Sequence, residues 1–179
     1  MDLAIFSNLR TWLTEAGLAG KSETALLDGF CRRALDAGLP IARATIVIDT
    51  LHPVFEGRAF VWRRKAGQAQ TELIEYGPTS EGEGADRWRR SVFFHLIQTG
   101  GSLFRVRLHA GESADFPTVA QLRDEGMSDV AAMITRFAGS AAIGEMDCLY
   151  SYWATDHPHG FDEAHVEAIA GLTPMLALA

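Results

Sequence analysis

Arg43-Ala44-Thr45-Ile46-Val47-Ile48-Asp49-Thr50 is the stretch on which the fold turns. Thr45, Ile46, Val47 and Ile48 are β-branched, so this segment favours extended backbone and reads as a strand. The chain before it has a different period. Leu26, Leu27, Phe30, Ala34 and Leu35 share one helical face, Ser22 is placed to cap a helix running to about residue 37, and Gly38 falls at its C′ position. Pro40 lacks the amide proton that a further turn requires. Earlier still, Leu3, Phe6, Leu9 and Leu13 predict a first helix over residues 3–16, stopped by Gly17.

After the central strand, residues 57–64 read as a second, with Phe60 and Trp62 on one face and Val61 and Arg63 on the other. A third is predicted at 71–76, and residues 77–84, rich in Gly and Glu, read as loop. One helix is expected over 86–98, ended by Gly100-Gly101, then a strand at 102–108 and a short helix at 117–124. Strands at 129–137 and 145–154 are joined through Ala138-Gly139-Ser140, and a last helix starts at Asp162. Phe161 and Val166 form a hydrophobic staple across its first turn. Strands linked by short turns pair antiparallel, because a parallel pair needs a long crossover. The expectation is one α+β domain over residues 1–179, with an antiparallel sheet of five or six strands covered by helices.

Composition narrows the function. Hydrophobic residues make up 47% of the 179-residue chain, enough for a substantial core, and the net charge of −7 opposes the phosphate neutralisation that nucleic-acid binding needs. Arg87, Arg89 and Arg90 form the one basic cluster and read as a solvated helix face. The N-terminus has no basic segment followed by an apolar run, and no apolar stretch approaches the roughly 18 residues of a membrane span. Cys31 and Cys148 form no CxxC pair, so a cytoplasmic, reduced protein with no membrane partner is expected.

Several phrases carry a resemblance. Gly38-Leu39-Pro40-Ile41-Ala42-Arg43, Thr50-Leu51-His52-Pro53, Glu56-Gly57-Arg58-Ala59-Phe60-Val61-Trp62-Arg63-Arg64, Phe116-Pro117-Thr118-Val119-Ala120-Gln121-Leu122 and Tyr152-Trp153-Ala154-Thr155-Asp156-His157-Pro158-His159-Gly160-Phe161 lie within residues 22–176. Together they resemble the N-terminal regulatory domain of bacterial class III adenylate/guanylate cyclases. The resemblance implies a GAF-like sensor with its N- and C-terminal helices packed together, a homodimer, and a cyclase catalytic domain following in cis. The metal-binding carboxylate phrase of such a catalytic domain, Phe-x-Asp-hydrophobic-Arg-Gly-Phe, does not occur in this chain. The chain's last segment, to Ala179, is apolar and still helical, and reads either as an interrupted connector or as a terminal helix docked on its own sheet.

No residue set demands catalysis, a metal or a cofactor. His157 and His159, split by Pro158 and flanked by Asp156 and Asp162, lack the helical i, i+4 spacing of a metal motif. Cys148 shares a strand face with Met146, Tyr150 and Tyr152, where a thiol packs as a small hydrophobe. Residues 77–84 contain no Gly-Lys-Ser/Thr phosphate loop. The candidate ligand pocket is instead aromatic: Trp62, Phe93, Phe94, Tyr150, Tyr152 and Trp153, with His52 at a strand end; the simpler reading is core for each ring and turn geometry for His52. Leu9, Leu13, Ile169, Leu172, Met175 and Leu176 are the expected dimer and signalling positions, on helices where Pro174 frees a carbonyl one turn back. The leading expectation is a non-catalytic regulatory domain answering an unknown small molecule. The alternatives are a dimerisation module without ligand and a small Cys/His-dependent enzyme.

Overall fold

The computed structural model describes residues 3–50, 54–64, 70–136 and 148–178. Helices α1 (Leu3–Leu18) and α2 (Glu23–Asp36) lead into strands β1 (Arg43–Asp49), β2 (Gly57–Arg63) and β3 (Gln70–Tyr76). Helices α3 (Gly82–Arg89) and α4 (Val92–Thr99) follow, then β4 (Leu103–Val106), α5 (Pro117–Asp124), β5 (Asp129–Arg136), β6 (Cys148–Thr155) and α6 (Glu163–Leu178). The strands form one antiparallel sheet in the order β3-β2-β1-β6-β5-β4. Two three-stranded meanders are therefore sealed by a single long-range pairing, β1 with β6.

Local chemistry sets most boundaries. Ser22 Oγ accepts a hydrogen bond from the Ala25 amide at 3.4 Å, and Gly38 takes φ +88° just past α2. The stretch expected as one helix over 86–98 is two. Ser91 breaks it by turning extended (ψ 153°) and capping the Phe94 amide at 3.1 Å, a local bond that competes with helix continuation. The predicted loop 77–84 is also shorter, since α3 already begins at Gly82. The predicted turn Ala138-Gly139-Ser140 lies outside the described residues. Pro174 does not end α6, which continues to Leu178.

The sheet is buried on both faces. Every residue of β6 is buried, and alternation sends Leu149 and Trp153 to one side and Cys148, Tyr150, Tyr152 and Ala154 to the other. On the first side α1, α2 and α6 cover the sheet. There Ala44 pairs with Trp62 across one ladder and with Trp153 across the other, a small residue between two large ones. Both indole N–H groups are satisfied: Trp62 donates to Asp28 of α2 at 2.9 Å and Trp153 to Ser151 at 3.0 Å. Leu9, Leu13, Ile169 and Leu172, expected at a dimer face, are fully buried in this core and hold α1 and α6 to the sheet. Met175 and Leu176 are half-buried against it. Leu9, Leu13, Ile169 and Leu172 thus face the chain's own core, while Met175 and Leu176 keep part of their surface outside it.

The start of α6 is tied down by charge. Asp129 of β5 is wholly buried and pairs with Arg105 of β4 at 2.8 Å. Arg105 also donates to the Phe161 carbonyl and, at 2.7 Å, to Glu163, while the Phe161 amide donates to Asp129 at 3.0 Å. Gly160 has φ +68°, and a Cβ there would stand 2.6 Å from an Asp129 carboxylate oxygen, so glycine alone fits the bend. Hydrogen bonding from Arg107 and the nearby Arg105 charge hold the Glu163 carboxyl below its usual range. Its contribution is therefore present at neutral pH and lost as acid protonates it. Removing Asp129 leaves Arg105 only the exposed Glu163 as a counter-charge and leaves the buried Phe161 amide without its acceptor. Asp129→Ala is expected to lower unfolding stability in urea by about 3–5 kcal/mol, with a loss under about 1 kcal/mol counting against this anchoring role.

Candidate ligand cavity

The second face of the sheet is only partly filled. In β1, β2, β3 and β6 the register aligns Val47 with Ala59 and Tyr150, and Asp49 with Gly57 and then Tyr76. Val47 and Ala59 are modest in size, so the floor they form is low. Gly57 is required by a close approach: a Cβ there would lie 2.1 Å from the Tyr76 hydroxyl oxygen. The phenol ring thus lies across the glycine and donates to Asp49 at 3.2 Å.

Helices α3 and α4 roof this floor and leave a cavity of about 570 Å³. That volume falls within the roughly 300–1,000 Å³ range of small-molecule sites. Val47, Ala59, Trp88, Phe93 and Tyr150 supply the apolar lining, and Asp49, Glu56, Tyr76, Thr79, Arg87 and Ser91 the polar groups. The aromatic walls brace one another. Trp88 meets Tyr150 edge-on with ring centres 5.4 Å apart, and Phe93 stands 5.1 Å from Tyr150 and 4.3 Å from Tyr152. Glu56 accepts hydrogen bonds from the Thr79 amide at 2.5 Å and from the Thr79 hydroxyl, which pins the segment Gly77–Thr79 as a side wall.

The polar end of the cavity is acidic. Burial, reinforced by the Asp49 and Glu56 carboxylates, pushes the Tyr76 phenol well above the ordinary tyrosine value. Tyr152, behind Phe93, is raised to about 12 by burial. Arg87 is the one cation in the lining among the described residues, and it is exposed at the rim.

Of the aromatic residues expected at a pocket, Phe93 and Tyr150 line this one. Tyr152 packs behind them, and Phe94 sits 6.3 Å from Trp88, ring centre to ring centre, without reaching the lining. Trp62 and Trp153 do not belong to it: strand alternation places both in the core on the opposite face. His52 lies outside the described residues. Sequence reading missed Asp49, Glu56, Tyr76 and Trp88. Asp49 carried a usable signal, since it shares strand parity with Val47. Trp88 carried none, because the helix break at Ser91 aims it. Cys148 is buried in the second core, and burial pushes the Cys31 thiol up, as in packing cysteines. Ring centres of His157 and His159 are 5.8 Å apart in an exposed turn. No described helix is long and apolar enough to cross a membrane.

No family model matches the chain, and no curated protein matches its sequence. Solved structures do. The phycocyanobilin-bound GAF domain of a cyanobacterial phytochrome superposes with a TM-score of 0.59 at 12% identity, covering 97% of this chain and 92% of that one. A phycoerythrobilin-bound GAF domain from a cyanobacterial phytochrome gives 0.57 at 10% identity, covering 98% and 94%. The N-acylhomoserine lactone dependent LuxR-family transcription factor CepR2 of Burkholderia cenocepacia gives 0.50 at 10%, covering 98% and 92%. The chain has a GAF-like fold.

The buried phenols generate a measurable consequence. A tyrosine whose folded value lies above its unfolded value of about 10 contributes stability that is complete below that pH and lost as pH rises through the folded value. Ultraviolet titration should therefore find Tyr76 and Tyr152 still protonated as pH climbs from the ordinary value toward about 12. Unfolding stability should fall over the same interval. Ionisation of both near pH 10, with the fold intact, would show that neither ring is enclosed.

Proposed function

We propose that this chain is a non-catalytic sensory domain that binds a small molecule in the cavity between its sheet and α3–α4. Its output regulates a class III adenylate or guanylate cyclase domain in cis, as a cytoplasmic homodimer. The observation that carries the reading is the cavity, with aromatic walls and a few placed polar groups, in a GAF-like fold. The cyclase partner and the dimer rest on the sequence resemblance.

A route from cavity to output is built into strand alternation. Val47 and Tyr150 line the ligand cavity, while their chain neighbours Ile46, Ile48 and Leu149 line a second cavity of about 430 Å³ on the other face. The closing wall of that second cavity includes Leu176 and Ala177, at the end of α6. A ligand that prefers one tilt of β1 and β6 therefore biases how the last turns of α6 pack, which is a population shift. Ala59→Met projects a flexible side chain into the first cavity without touching α6.

The test joins residues 1–179 ahead of a class III cyclase catalytic domain and measures both light scattering and cyclic-nucleotide synthesis. A dimer is expected, in which Ala59→Met changes the synthesis rate by about 5-fold or more, the lower end of typical allosteric coupling. A monomer whose rate ignores Ala59→Met would sink the regulatory reading.

A further inference from the structure

We propose that the cavity selects a small organic cation, an amine with an aromatic or similarly flat apolar body, and rejects anions. The inference rests on the reading of this cavity as a sensory site and names the chemistry of its ligand.

Two features meet in the same space. The apolar half presents Trp88, Phe93 and Tyr150, whose rings suit a flat body and whose faces, the negative part of the ring quadrupole, attract a positive charge. The polar half presents Asp49 and Glu56. Glu56 is met by the Thr79 amide and hydroxyl, which are neutral donors that orient the carboxylate without cancelling its charge. The Tyr76 hydroxyl donates to Asp49 at 3.2 Å, so one oxygen of that carboxylate is held at the same end of the cavity.

Tyr76 acts as an internal gauge of the potential. Burial, which penalises a charge of either sign, is the larger cause opposing ionisation of its phenol; the carboxylates add a repulsion that a ligand bearing phosphate or carboxylate at that end would share. Arg87 lies at the exposed mouth, where water weakens its reach into the cavity. An ammonium group at the acidic end turns that repulsion into attraction, against the cost of its own burial. It gains charge-assisted hydrogen bonds to carboxylates and replaces part of its lost hydration with oriented dipoles.

Three probes of nearly equal shape decide the matter by calorimetry: 2-phenylethylamine, 2-phenylethanol and phenylacetate. The amine should bind at least about tenfold more tightly than the alcohol, and phenylacetate weakest of the three. Asp49→Asn keeps an acceptor for the Tyr76 hydroxyl and so spares that contact, yet should remove most of the preference for the amine. Glu56→Gln, checked with it by thermal unfolding to exclude a folding defect, should reduce the preference in the same direction. Trp88→Leu should weaken amine and alcohol alike. Alcohol or phenylacetate binding as tightly as the amine overturns the cation assignment while leaving a ligand cavity in place. Absence of binding by all three probes also overturns it. In either case a cyclase fusion whose rate still responds to Ala59→Met keeps the sensory reading standing, so the two failures are separable.

Discussion

The double burial of β6 is the constraint on which the rest of the molecule depends. All eight residues from Cys148 to Thr155 are buried, so both faces of the central strand must be covered. A strand of this kind reads as a nearly continuous apolar run and cannot sit at an edge. Its pairing with β1 on one side and β5 on the other joins two meanders that are otherwise local. Because its side chains alternate, β6 serves two cores at once: Trp153 in the one beneath α1, α2 and α6, Tyr150 and Tyr152 in the one beneath α4.

The two faces then diverge for reasons of volume. On the first, Trp62 and Trp153 flank Ala44, and the helices close over them with their indoles hydrogen-bonded, leaving α1 and α6 firmly seated. Burying each such large side chain is worth roughly 1.5–3 kcal/mol. On the second, Val47 and Ala59 leave space that the α3–α4 roof does not fill. The sheet is thus a partition with a hollow side of about 570 Å³ and a more fully packed side, whose own cavity of about 430 Å³ lies by the end of α6. The buried Arg105–Asp129 pair ties the packed side to the strand edge that meets the start of α6.

Polar groups in the hollow side are held by hydrogen bonds from neutral donors. Tyr76 orients Asp49 and Thr79 orients Glu56, which places two carboxylates at one end of a largely apolar cavity. Tyr150 and Val47 touch that cavity, and Leu149 and Ile48 touch the one under α6. Adjacent residues on one strand cannot move independently, so the partition is also a mechanical link.

Much of the fold was legible in the chain. The β-branched run 43–50, the caps at Ser22 and Gly38, the staple of Phe161 and Val166 and the short turns between strands depend on neighbours a few residues apart. These sufficed for an antiparallel α+β domain. What tertiary structure alone decided was placement. Aromatic character did not say which face a ring would join, so Trp62 and Trp153 looked like Tyr150 until the register assigned them to the packed side. Ser91 reads as an ordinary helical residue until its cap on Phe94 is seen, and with that break Trp88 turns toward the sheet. Asp49, Glu56 and Tyr76 come together only because β1, β2 and β3 are in register and Gly57 leaves room for a ring. Local patterns are set by short-range sterics and hydrogen bonding. A cavity is set by what distant segments fail to fill.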